Sequence, residues 1–322
     1  MADEDKALRM GMSGLVGVSI QMQRVYRLIH TVSAYRYPVS IVGEIGTGKE
    51  ATARLIHSSS ARRNKPFVAV GRSMYVPSWI EPELFGYEKG AVGHESETKS
   101  GLLGVAGGGT LYFDEVAELP VGVQGKLHRA IEENEFWPIG ASRGVAFTAR
   151  VIAATHRNLE AQVRAGAFRE DLFLQLNSLQ IKLPPLRERK NDIPLLVDAF
   201  IDKYAEQGST VEFSGAAMAC LVAYDWPGNV RELEMTVQRA LAFAAGPSVE
   251  PGDLLQVPRG AAHATSRTAE THGADELEIE RRAIVQALQE ASGDTIAAAQ
   301  LLGINRSTLG RRLKYYRLEN WL

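Results

Sequence analysis

The sequence predicts an α/β protein: a parallel sheet with helices on both faces, followed by an all-α lid and a short helix-turn-helix region. Three observations carry this reading. Val39-Ser40-Ile41-Val42 is apolar and rich in β-branched residues, so it reads as a short buried strand. A glycine-rich turn, Gly43-Glu44-Ile45-Gly46-Thr47-Gly48-Lys49-Glu50, leads from it into a stretch with Ala51, Leu55 and Ile56 at helical spacing. Leu111-Tyr112-Phe113 is a second apolar strand and ends on two acids, Asp114 and Glu115; around both, strands alternate with helices, the order of a parallel sheet.

A strand-to-helix turn rich in glycine is the context of a phosphate loop. Glycines let backbone N–H groups turn inward on phosphate oxygens with no Cβ in the way. The following helix N-terminus adds favourable dipole ends, and Lys49 would reach the β- and γ-phosphates. The Ser or Thr that commonly closes the pattern is Glu50 here. The paired acids complete the chemistry: in phosphate-loop ATPases the first, here Asp114, holds a magnesium ion, and the second, Glu115, polarises an attacking water. The expected cofactors are therefore ATP and Mg2+.

Bulk composition sets the frame. The chain has 322 residues, enough for two or three domains with a proper core, and its 45% hydrophobic and 23% charged content is that of an ordinary globular protein. A net charge of -2 gives no global pull toward nucleic acid or membrane, so any basic element must be local. One cysteine, Cys220, excludes a disulfide framework or a zinc site and fits a reducing cytosol, so a cytoplasmic location is expected. The acidic N-terminus does not read as a signal peptide, and no apolar run approaches the roughly 20 residues of a membrane span.

Taken in order, residues 1–13 read as disordered and 14–187 as the α/β unit, with no room for a sensory domain before it. Within that unit, 21–33 is an amphipathic helix, 66–70 a second strand, 84–109 a glycine-rich insertion, 124–133 a helix, 149–155 a fourth strand and 168–177 a helix. Residues 188–245 read as the helical lid, whose first helix has Asp192 as its expected cap and Pro194 in its first turn. Residues 246–275 read as a flexible linker. Residues 276–322 are short and helical: 278–290, 295–302, a break at Gly303, then 305–316. The helix–Gly–helix segment reads as a helix-turn-helix whose last helix is basic with no acid, so Asn305, Arg306, Ser307, Thr308, Arg311, Arg312 and Lys314 are the candidate DNA contacts.

From about residue 15 to 245 the chain resembles the central ATPase domain of sigma-54-dependent transcriptional activators, also called bacterial enhancer-binding proteins, within the AAA+ ring ATPases. The family's phosphate loop ends in Gly-Lys-Glu, which accounts for Glu50. Further family signatures are residues 108–115, Phe168-Arg169-Glu170-Asp171-Leu172, Leu183-Pro184-Pro185-Leu186-Arg187-Glu188-Arg189 and Trp226-Pro227-Gly228-Asn229-Val230-Arg231-Glu232-Leu233. The resemblance implies that Arg231 contacts nucleotide from the lid, that Arg169 lies near a neighbour's ATP, and that the subunits form a hexameric ring. The tail resembles the Fis-type domain of such activators, implying a dimer on double-stranded DNA.

The chain departs from the family pattern at defined positions. The family's Gly-Ala-Phe-Thr-Gly-Ala loop, which touches sigma-54 in RNA polymerase, is matched by Gly90, Ala91, Val92, Gly93, His94 and Glu95. The asparagine that restrains the catalytic glutamate is matched by Gly71, the second arginine presented to the neighbour by Gln175, the asparagine after Ala-Thr by His156, and an arginine near the subunit boundary by Pro138. Two classes of function follow. One is an ATPase that remodels sigma-54 polymerase. The other is a DNA-bound regulator that does not hydrolyse ATP or does not use sigma-54, or a partner of a competent relative in a hetero-oligomer.

Overall fold

The computed structural model describes residues 15–92, 97–204, 211–244, 246 and 248–254, and ten single positions between 284 and 313. The chain divides into two compact units near residue 258.

In the first unit, the chain order is helix α1 (Ile20–Ser33), strand β1 (Val39–Val42), α2 (Lys49–Ser58), β2 (Phe67–Val70), α3 (Pro77–Phe85), β3 (Gly86–Tyr87), β4 (Lys99–Ser100), α4 (Leu102–Ala106) and β5 (Thr110–Phe113). Then come α5 (Val121–Glu133), β6 (Glu135–Phe136), β7 (Val145–Ala146), β8 (Arg150–Thr155), α6 (Leu159–Arg164), α7 (Glu170–Leu176) and β9 (Gln180–Lys182). The helical part holds α8 (Ile193–Tyr204), β10 (Glu212–Phe213), α9 (Gly215–Ala223), α10 (Asn229–Phe243), β11 (Ser248–Val249) and α11 (Pro251–Leu254).

The main sheet has the order β2-β5-β8-β1-β9 with every pair parallel. Side chains alternate across β8. Val151 and Ala153 enter the core with Leu111, Phe113 and Leu127, while Ile152 and Ala154 join Ile41, Ile56 and Ile29 on the other face. Burial on both faces explains why these strands read as unbroken apolar runs. The register puts Val42 beside Thr155 and Phe113 beside Ala153, so the carboxyl ends of β1, β8 and β5 lie side by side, the edge where parallel sheets hold ligands.

Several expectations change. The sheet has a fifth strand, β9, in which only Ile181 is buried, too weak a pattern to be read locally. The glycine-rich insertion begins at the last turn of α3 and holds the β3–β4 pair and α4. Asp192 does not cap a helix: it closes a short 3-10 turn, and its buried carboxylate accepts hydrogen bonds from the Val18 N–H (2.6 Å), the Ser19 N–H (2.7 Å) and the Ser19 hydroxyl (2.8 Å). The residues assigned to a linker include β11, which pairs with β10, and the short helix α11. No helix among the described residues is long and apolar enough to cross a membrane.

In the second unit, Ile284, Leu288, Ala298 and Leu313 are buried, and Asp294 accepts from the Ala297 N–H just before a helical position at 295. The candidate DNA contacts at 305–308, 311, 312 and 314 lie outside the described residues.

Candidate functional site

The site is built on the carboxyl ends of three neighbouring strands. After β1 the chain turns through residues 43–48 into α2. Gly46 (φ 80°) and Gly48 (φ 102°) are both left-handed, and a Cβ on Gly46 would sit 2.1 Å from the Gly228 carbonyl oxygen. Only glycine fits there. Lys49 opens α2 and is almost wholly buried. Its ammonium donates to the carbonyls of Gly43 (3.1 Å) and Glu44 (3.4 Å) and pairs with Glu115 Oε1 at 2.9 Å.

Glu115 follows β5 in a left-handed conformation (φ 57°), costly for a side chain with a Cβ. Its carboxylate is held from several sides. Oε2 accepts from the His156 N–H (2.9 Å) and the Thr155 hydroxyl (3.2 Å), and His156 Nδ1 lies 2.7 Å away. Burial alone would raise this carboxyl, but the His156 amide and the Lys49 ammonium outweigh it and hold it below the usual carboxylate range. Asp114 goes the other way: burial, then the neighbouring Glu115 charge, push its carboxyl up, with Tyr112 hydroxyl donating at 3.2 Å. Adjacent acids are thus driven apart, one kept charged and the other under-solvated.

A magnesium ion fits this donor set. Mg2+ is usually held by one or two carboxylates plus phosphate oxygens and water, not by a protein cage. Among the described residues no cluster of three or more His, Cys, Asp or Glu could hold a metal, while Asp114 offers one under-solvated carboxylate beside the phosphate loop. Glu50, at the usual hydroxyl position, is instead drawn to Arg54 at 2.7 Å on the surface.

The lid reaches the loop directly. The Val230 N–H donates to the Gly46 carbonyl at 3.0 Å, and the Arg231 Cβ lies 3.2 Å from where a Gly46 Cβ would be. Glu44, expected in the cofactor set with Ile45 and Thr47, has its carboxylate occupied by Arg187 and Asn229. Arg169 is exposed and forks onto Asp171 at 3.0 and 2.6 Å, not onto the phosphate loop of its own chain. At the position of the second family arginine, the Gln175 Oε1 is buried without a hydrogen-bond partner. Gly71 leaves open space where a side chain would be. Of the sigma-factor loop, Gly90 (φ 78°), Ala91 and Val92 are described; Gly93, His94 and Glu95 lie outside the described residues. A separate cavity of about 310 Å3, lined by Phe85, Arg129, Trp137 and Pro138 among others, shares no residue with the phosphate loop.

Sequence reasoning did not foresee the parts played by Thr155, His156, Arg187 and Asn229. His156 stood out only as a departure, and the other three lay inside recognised segments with no local sign of their partners.

Comparison with known proteins agrees along most of the chain. Residues 15–182 match the family of sigma-54 interaction domains, 187–271 the AAA+ ATPase lid domain, and 278–316 the bacterial regulatory protein, Fis family. The chain is 39% identical over 313 residues to the transcriptional regulatory protein ZraR of Escherichia coli (strain K12), covering 96% of this chain and 70% of that protein. It is 38% identical over 332 residues to the DNA-binding transcriptional regulator NtrC of Azospirillum brasilense, covering 93% and 69%. The crystal structure of NtrX from Brucella abortus in complex with ADP is similar with a TM-score of 0.70 at 34% identity, covering 98% of this chain and 71% of that one.

Proposed function

The chain belongs to the family of sigma-54-dependent transcriptional activators, and on that premise we propose that it binds ATP with Mg2+ through residues 43–50 and Asp114. The observation that carries this is the meeting of Lys49 and Glu115 at 2.9 Å across the ends of β1 and β5. It brings the two halves of a phosphate-transfer site together from positions far apart in the chain. Lys49 supplies a point charge for the phosphates, Asp114 is the magnesium ligand, Glu115 the water-orienting carboxylate, and Arg231 the lid contact. The Fis-family match at 278–316 supports binding to double-stranded DNA as a dimer. The family membership supports assembly into a ring with Arg169 facing a neighbour's phosphates, and the single cysteine supports work in the cytoplasm.

A second reading is favoured by Gln175 and Gly71. With no second arginine for the neighbour and no side chain at 71, hydrolysis is slow and nucleotide acts mainly to stabilise assembly on DNA, alone or with a competent relative. Titration of the full chain with a fluorescent ATP analogue, with and without Mg2+, tests the binding, and phosphate release on the same samples separates the two readings. Failure to bind the analogue at any Mg2+ concentration overturns the first.

A further inference from the structure

Glu44 occupies the second position of the phosphate loop, yet its carboxylate is spent on the lid. The Arg187 guanidinium forks onto it, Nη2 to Oε1 at 2.6 Å and Nη1 to Oε2 at 2.8 Å, and the Asn229 amide donates to Oε2 at 3.1 Å. The same buried amide donates to the Ile45 carbonyl (3.0 Å), and its oxygen accepts from the Leu186 N–H (2.8 Å). Asn229 is fully buried and left-handed (φ 52°), a conformation that asparagine tolerates better than most residues. It is also the first residue of α10, the helix that carries Arg231. Beside this contact the Val230 N–H donates to Gly46 and the buried Arg189 donates to the Thr47 carbonyl at 3.0 Å. Three lengths of chain, the loop, the 3-10 turn at 186–188 and the start of α10, are thus pinned to one another around a single carboxylate.

A free carboxylate inside an anion-binding loop would oppose phosphate. Paired to Arg187 it does not, and an incoming phosphate chain repels it further onto Arg187 and Asn229. We propose that Glu44 is the lid's docking post, a positioning residue that latches Arg187 and Asn229 to the phosphate loop and transmits loop occupancy to α10. The transmission half rests on the ATP-binding reading above; the latch itself does not.

Hydrogen exchange by mass spectrometry on the full chain tests both halves. The variants are Glu44→Gln, which sets an NH2 among donors, Arg187→Met, their double, and Arg187→Lys as a milder surface change in case the others fold poorly. Without nucleotide, amides of residues 226–233 exchange roughly five- to tenfold faster in either single variant, a charge-assisted bond discounted for its half-exposed partners. The double variant is no faster than the singles, and Arg187→Lys is intermediate. With AMP-PNP and Mg2+, wild type gains protection at both 43–50 and 226–233, whereas Glu44→Gln gains it at 43–50 alone. Unchanged exchange at 226–233 in the nucleotide-free singles, or additive effects in the double, overturns the latch. A Glu44→Gln response at 226–233 equal to wild type overturns the transmission. If AMP-PNP protects nothing at 43–50 in wild type, the nucleotide reading has failed, while the nucleotide-free comparison still decides the latch.

Discussion

Lys49 Nζ and Glu115 Oε1 stand 2.9 Å apart with both side chains almost wholly withdrawn from solvent. The ammonium helps hold the Glu115 carboxyl below its ordinary range, and the pair sits in the loop where a phosphate would compete for the ammonium. Lys49→Ala should therefore abolish binding of a fluorescent ATP analogue in the presence of Mg2+, because the charge on the phosphates is lost. Binding of the analogue by this variant at wild-type strength would mean that the nucleotide site is elsewhere.

The same pair bears on stability. Glu115→Ala leaves a buried ammonium uncompensated and should destabilise the nucleotide-free protein by about 3 kcal/mol. The sign with pH follows from the direction of the shift. The folded Glu115 carboxyl lies below its ordinary value of 4.5, so its stabilisation is present above that value and fades as pH falls through the lower folded one. Asp114 is raised above 3.8, so its ionisation costs stability at neutral pH. Asp114→Asn should thus raise the melting temperature of the nucleotide-free protein at pH 7 while removing the gain that Mg2+ adds to ATP. Melting curves with and without Mg-ATP check both; a lower melting temperature for nucleotide-free Asp114→Asn would contradict the assignment.

For the C-terminal region, Arg311→Ala or Arg312→Ala in the full chain should weaken binding to duplex DNA. Wild-type affinity should fall steeply with salt, since arginine and lysine displace counterions from phosphates. Fluorescence anisotropy at several salt concentrations reads both effects. An affinity that does not change with salt would rule out a basic helix as the contact.

Assembly and turnover depend on what reaches the neighbouring subunit. Arg169 is held in its own chain by Asp171, and Gln175 stands where a second arginine is expected. Sedimentation should show larger species with an ATP analogue than without. Phosphate release should be slow, since a missing arginine in such a site typically costs on the order of a thousandfold, and Gln175→Arg should raise it. Fast turnover by the unmodified protein, or a monomer under every condition, would go against this.

How much could be read from residues alone differs by kind of contact. The phosphate loop was legible because a short apolar, β-branched run and a helical spacing meet at its glycines. Asp114 and Glu115 were legible because charges at the end of a buried strand have few other uses. Strand β9 was not, with Ile181 its one buried residue, nor was the β10–β11 pair of two residues each. The partner of Asp192 lies 173 positions away at Ser19, and that of Glu44 lies 143 away at Arg187. No local pattern states which distant group a carboxylate will choose, so the cap assigned to Asp192 followed the nearest chemistry instead of the packed one, and the Arg187 partner of Glu44 went unread.

The last prediction concerns the loop at 90–95. In the resembled family an aromatic and a threonine at its tip meet the sigma factor, and small residues let it fold back tightly. Here Val92 offers less contact area, Gly93 has no hydroxyl, and Glu95 adds a negative charge. At the base of the loop the Glu88 N–H donates to the Ile139 carbonyl and the Ile139 N–H to the Gly86 carbonyl, each at 2.9 Å. Removing a hot-spot side chain from a binding surface commonly costs about 2 kcal/mol or more, and both the aromatic and the threonine are replaced here. In vitro transcription from a sigma-54 promoter should accordingly show weak open-complex formation by the unmodified protein with ATP. Replacing residues 92–95 by Phe-Thr-Gly-Ala should restore it, because the aromatic and the threonine are returned to the tip. Strong ATP-dependent open-complex formation by the unmodified protein alone would show that Val92 and its neighbours make an adequate contact by other means.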